Sequence, residues 1–254
     1  MLGWKLFLRA LTLLIDNLAV ALRVSAIPYG MTAAASLWLS TGWPEVNLQA
    51  IASGALQPPP GFASAALLVL VVTIVSYLWV AVAWHRYVLL GEAPSGWLPP
   101  LRGSLMLGYL GRFLLVALVT LLVVLAIATM ISALLVPIVG AAALILVNAA
   151  AFLLGLIVFY RCGLILPAGT IEKSMTLNEA IVATKGQSGT VIVLALLTLV
   201  FSWILQIPAI LDGAGNWPLI SAIYQIVVNW IGLLLGVGTL TALYGHVVEG
   251  RPVD

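Results

Sequence analysis

The chain has 254 residues, of which 63% are hydrophobic and 7% charged, with a mean hydropathy of +1.21. A soluble domain carries about 25% charged residues, so this chain has too little polar surface to cover a globule in water and reads as a polytopic membrane protein. A formal net charge of +2 without a basic tract excludes a nucleic-acid surface, and a lone Cys162 excludes an intramolecular disulfide or a cysteine metal cluster.

At the N-terminus, Lys5, Arg9, Asp16 and Arg23 recur at intervals of four, seven and seven, which places them on one narrow stripe of a helix otherwise made of Leu, Phe, Ala and Val. An amphipathic helix over about 2 to 21 is predicted, lying in the membrane interface or against the bundle. Asp16 and Arg23 interrupt the apolar run and no small-x-small site follows, so the segment is expected to be retained rather than cleaved as a signal peptide.

Spanning helices of about 20 apolar residues fit six windows, at about 22 to 41, 63 to 84, 110 to 132, 138 to 160, 189 to 210 and 220 to 244. Lys5, Arg9, Arg23, Arg86, Arg102, Arg112, Arg161, Lys173, Lys185 and Arg251 are all ten basic residues of the chain, and all fall at alternate ends of these windows. Because Lys and Arg near span ends stay on the cytoplasmic side, both termini are predicted there. Trp38, Trp43 and Trp217 fall at the opposite interface and Trp4, Trp84 and Trp97 at the cytoplasmic one. Trp203 and Trp230 sit at similar depth on the last two spans and are expected to pack together.

The loop after the first span contains a short helix beginning near Pro44 and an extended segment at Pro58, Pro59 and Pro60. The second span closes on Trp84, His85, Arg86 and Tyr87, read as an interfacial anchor in which Arg86 snorkels to the headgroups. Phe159-Tyr160-Arg161 and Tyr244-Gly245-His246 end two later spans in the same way, which shared anchoring chemistry or three related hairpins would both produce. After the fourth span, Pro167 stops the helix, Thr176 and Glu179 form a capping box, and a helix along the membrane is predicted over about 177 to 185, ended by Gly186. Leu177, Ala180, Ile181 and Thr184 share one face of it, which sets it along the membrane rather than across.

Arg161, Pro167, Glu172, Ala180, Lys185 and Gly186 give segment 161–186 a pattern that resembles a diffuse group of bacterial integral membrane proteins. The group includes YciC-like proteins and the membrane domain fused to some glycerophosphodiester phosphodiesterases. Gln187-Ser188-Gly189 stands where that group has an aromatic residue. The resemblance implies a bacterial inner-membrane location and a six-helix module of no established activity. Phosphodiesterase activity does not carry over, because it resides in a separate soluble domain of those fusions.

Within the predicted span centres no residue is ionisable, and the deep polar side chains are Asn148, Gln206, Gln225 and Asn229. These amides read as bridges between helices, with Gln206 and Gln225 meeting across the last two spans, or alternatively as an uncharged transport path. Gly232 and Gly236 in GLLLG predict a close helix–helix approach, within the chain, in a homo-oligomer or against a partner in a membrane complex. Arg86, Arg102, Arg112, Arg161 and Lys185 form a candidate surface for anionic lipid or phosphate. His85, Glu92, Glu172, His246 and Glu249 are weak metal candidates that need the fold to gather them, and His246 and Glu249 share a helix face. No zincin motif, phosphate loop or nucleophile elbow is present. The resulting expectation is a noncatalytic, all-α, lipid-contacting or scaffold module of six spans without a cofactor; a transporter and a metal-dependent membrane enzyme are the alternatives.

Overall fold

A computed structural model describes residues 1–44, 46–211 and 218–253. Among these residues the fold is entirely helical: α1 (Leu2–Asp16), α2 (Leu18–Gly42), α3 (Leu48–Ala52), α4 (Phe62–Leu90), α5 (Gly103–Val139), α6 (Ala143–Cys162), α7 (Ile165–Thr170), α8 (Leu177–Ala183), α9 (Ser188–Leu211) and α10 (Pro218–Val247). Six of them, α2, α4, α5, α6, α9 and α10, are long and apolar enough to cross a membrane. The chain is a multi-pass integral membrane protein of the all-helical class.

The boundaries depart from the sequence expectation where a side chain or a glycine intervenes. The break between α1 and α2 falls at Asn17, whose backbone leaves helical geometry at φ −115°. The Asn17 amide donates to the Leu13 carbonyl, and its Oδ1 accepts from the Tyr87 hydroxyl at 2.5 Å, so the corner is tied to α4. The short loop helix starts at Leu48 rather than near Pro44. α4 continues past Trp84 to Leu90 and stops at Gly91, which takes the left-handed conformation (φ 73°) that a residue with a Cβ disfavours. The predicted loop at 133–137 is helix instead. α5 carries Pro137 and runs to Val139, and the chain reverses at Gly140 through a short 3-10 turn. At 1.5 Å per residue its 37 residues span about 55 Å, longer than the ~30 Å hydrocarbon core. Trp217 lies outside the described residues.

α1 packs as an integral part of the bundle, against α9 and α10. Gly3, Leu6, Phe7, Ala10 and Leu14, which share one helix face, are buried, while Lys5, Arg9 and Asp16 are exposed. Phe7 meets Phe201 edge to face at 5.7 Å. Hydrogen bonds join the spans: the Tyr29 hydroxyl donates to Ile226 O, Trp230 Nε1 to Ser25 Oγ, and the Tyr224 hydroxyl to Leu205 O. In hydrocarbon such bonds are each worth about 0.6 to 2 kcal/mol. Trp230 therefore binds α2 rather than Trp203, which is 61% exposed on the outer wall.

Beyond α6 the chain stays at one end of the bundle. All six residues of α7 are buried, and the helix packs against α4, α5 and α10. α8 opens with the predicted capping box, in which Glu179 N–H donates to Thr176 Oγ1 and the Glu179 carboxylate accepts from Thr176 N–H. Those bonds hold the Glu179 carboxyl below its usual range. α8 ends at Ala183, and Lys185–Gln187 form a 3-10 turn into α9. On the face shared by Leu177, Ala180, Ile181 and Thr184, Ala180 and Thr184 are buried in the bundle and Ile181 is 43% exposed. Thr176→Ala is expected to raise hydrogen exchange at residues 177–179 by the equivalent of about 1 kcal/mol, leaving the spans protected; unchanged exchange there would show the cap to be idle.

Candidate functional site

The residues with the richest chemistry meet where α4 ends. Arg86 is 7% exposed although it carries a guanidinium. Its Nε and Nη2 donate to the two carboxylate oxygens of Glu92 at 2.8 and 2.5 Å, its Nη1 donates to Thr170 O at 2.6 Å, and Glu172 lies 3.4 Å from Nη1. Arg102 donates to Glu92 at 2.8 Å. The hydrogen bond from Arg86, together with the charges of Arg86 and Arg102, holds the Glu92 carboxyl below its usual range. The planar guanidinium suits this use, since it fits a carboxylate bidentately and still caps the last carbonyl of α7. Arg86 is thus a structural latch between α4, the following loop and α7, in place of the headgroup anchor the sequence suggests. Glu172, in the turn after α7, has φ 62°.

The C-terminal tail makes a second clasp beside it. Arg251 donates to the Val88 and Leu89 carbonyls at the end of α4 and pairs with Glu249, which also binds Lys173 at 3.0 Å. His246 Nδ1 lies 3.0 Å from Arg251 O. His85 is fully buried away from all of these, with Nδ1 2.8 Å from Thr241 Oγ1 and Nε2 3.3 Å from the Tyr109 hydroxyl. Thr241 already donates its proton to Val237 O, so it accepts from His85 Nδ1–H, which leaves Nε2 to accept from Tyr109. Among the described residues no three His, Cys, Asp or Glu side chains gather as a metal site, so His85, His246 and Glu249 do not share a ligand sphere.

The other predicted cations divide. Arg161 donates to Ser188 Oγ at 2.6 Å. Lys185 is exposed in the turn before α9. Arg112 is half-buried and lies across the backbone of Gly169, so closely that a Cβ there would overlap its guanidinium, yet it has no hydrogen bond or ion pair among the described residues. Lys5, Arg9 and Arg23 are likewise exposed and without an ion pair among the described residues.

The predicted helix-packing residues take other places. Gln225 donates to Asn229 on its own helix at 2.8 Å, Asn229 and Asn148 are exposed on the surface of the bundle, and Gln206 lines a recess on α9 alone. No bridge between Gln206 and Gln225 forms. A Cβ on Gly232 or Gly236 would meet nothing within 4 Å, so GLLLG makes no close helix approach among the described residues of the chain. Close approaches occur at Gly3, where a Cβ would lie 2.7 Å from Thr190 O, and at Gly238, where it would lie 3.5 Å from Trp84 Nε1. Trp84, Tyr160 and Tyr244, read as interfacial anchors, are among the largest fully buried side chains.

Two recesses adjoin this region. A polar one of about 320 Å³ is lined by Arg86, Glu92, Arg102 and loop prolines. An apolar one of about 420 Å³ lies between α4, α5 and α10, lined among others by Tyr77, Tyr109, Phe113, Gly232 and Gly236. Its volume falls within the ~300 to 1,000 Å³ of small-molecule sites. Comparison with protein families, curated proteins and solved structures finds no match to this chain.

Proposed function

We propose that this chain is a noncatalytic module of a bacterial inner membrane whose basic end faces the cytoplasm and holds anionic phospholipid headgroups. Arg112 carries the reading. It is a half-buried guanidinium at the basic end without a protein acceptor among the described residues, whereas Arg86 and Arg102 both pair with Glu92 and Arg86 also meets Glu172. A phosphate is the acceptor that a membrane supplies at that depth, and a juxtamembrane cation contributes about 1 kcal/mol toward an anionic surface. Exposed Lys5, Arg9, Arg23 and Lys185 would extend the contact. The placement of all ten basic residues at one set of span ends supports cytoplasmic termini. The resemblance of segment 161–186 supports a bacterial inner-membrane module, acting alone, as a homo-oligomer or as an accessory in a membrane complex.

Transport through an uncharged path has less support, because Asn148 and Asn229 are exposed on the bundle surface. The test is native mass spectrometry of the protein released from nanodiscs of mixed neutral and anionic phospholipid. Arg112→Gln is expected to lower retained anionic lipid about fivefold, the equivalent of ~1 kcal/mol, with Arg161→Gln near wild type. Equal anionic retention in wild type and Arg112→Gln would overturn the headgroup reading.

A further inference from the structure

We infer that the apolar recess between α4, α5 and α10 seats one hydrocarbon chain of a membrane lipid. Its shape follows from three stripes, each running along a helix. Thr73, Tyr77 and Ala81 recur every four residues on α4, Tyr109 and Phe113 are four apart on α5, and Gly232 and Gly236 are four apart on α10. Residues four apart lie on one helix face, so the recess is a slot parallel to the helix axes. From Thr73 to Ala81 it extends about 12 Å at 1.5 Å per residue.

The α10 side of the slot is open because Gly232, itself exposed, and Gly236 lack side chains, and a Cβ on either would touch nothing within 4 Å. No charged side chain lines it, so it offers nothing to an ion or a phosphate. Ile74, Phe113 and Leu114 line it and are at least 38% exposed, so the slot opens on the outer wall of the bundle, where the surrounding solvent is lipid. Toward the basic end it meets Tyr109, whose hydroxyl proton is committed to His85. Hydrocarbon outside gains no hydrophobic energy by entering, but it gains packing contacts in a groove that side chains leave unfilled. An uncharged, laterally open slot of about 12 Å fits a stretch of one extended chain. The recess of about 690 Å³ at Trp203, Ile204 and Ile207 is lined by α9 alone.

The inference rests on the lipid-contacting reading but not on its headgroup chemistry. The whole chain is reconstituted in phosphatidylcholine vesicles containing a phosphatidylcholine with a diazirine midway along one acyl chain, irradiated, and its labelled peptides mapped. Label is expected to concentrate on the slot, at Tyr77 and Phe113. Gly236→Leu, whose side chain would occupy the open space, is expected to lower that label about tenfold, the equivalent of ~1.4 kcal/mol, while label at Trp203 stays constant. Even label over the wild-type outer wall of α5 and α9 would overturn the proposal without any variant. So would undiminished slot label in Gly236→Leu that retains wild-type helicity and thermal stability. If Gly236→Leu fails to fold, Gly232→Leu replaces it, and the wild-type pattern decides alone if both fail. Slot label persisting in Arg112→Gln, with its anionic preference lost, supports both readings. Slot label without any Arg112 effect sinks only the headgroup reading, and an Arg112 effect without slot label sinks only this one.

Discussion

Arg86→Ala is expected to cost about 3 kcal/mol, near the lower end of the range for breaking a buried pair. The lower end applies because the Glu92 side chain is 37% exposed and water screens it once it is alone. What water cannot repair is the carbonyl of Thr170, an acceptor at the end of fully buried α7 that loses its 2.6 Å bond. Unfolding in mixed detergent and dodecyl sulfate micelles measures the loss. Glu92→Gln keeps the shape, leaves Arg86 with Thr170 and Glu172, and should cost only about 1 kcal/mol. The pair also predicts a direction with pH. The Glu92 carboxyl is held below its ordinary value in the folded state, so its contribution is present above the unfolded carboxylate value. It is lost as pH falls through the lower folded value. Wild type should therefore weaken below the ordinary carboxylate range, with Glu92→Gln showing a flatter dependence. Equal stability of Arg86→Ala and wild type would remove the latch from the account of this fold.

Gly3→Val should destabilise the chain by about 1 to 3 kcal/mol, the usual cost of overpacking. A Cβ at position 3 would lie 2.7 Å from Thr190 O and 2.8 Å from Val193 Cβ. The first obstacle is backbone, which cannot turn aside as a long side chain can, so α1 must move away from α9. Ala10, buried in the wild type, reports that movement. In an Ala10→Cys background, Gly3→Val is expected to raise maleimide labelling sharply, while Gly30→Val, with open space around its Cβ, leaves labelling low. Slow labelling in both would mean that α1 is not held by this contact.

What the sequence carried unaided was the solvent of each segment. Six apolar stretches, the capping box at Thr176 and Glu179, and the exposed faces of Lys5, Arg9 and Asp16 follow from composition and periodicity, which are local properties. The direction of burial within the membrane was not local. In water an apolar stripe marks the core, but in lipid the outside is apolar too, so Gly232 and Gly236 reveal no side for packing and Trp84 no preference for the interface. The pairing of Arg86 with Glu92 joins residues near in the chain, yet its third partner, the Thr170 carbonyl, comes from a different helix. Likewise α1 is amphipathic on inspection, but whether α9 and α10 or a headgroup layer covers its apolar face depends on Gly3 meeting Thr190. Composition and spacing determined that this chain lives in a membrane as six spans. Only tertiary structure decided which cations meet protein acceptors and which have none among the described residues, because that depends on carboxylates and carbonyls brought in from distant helices.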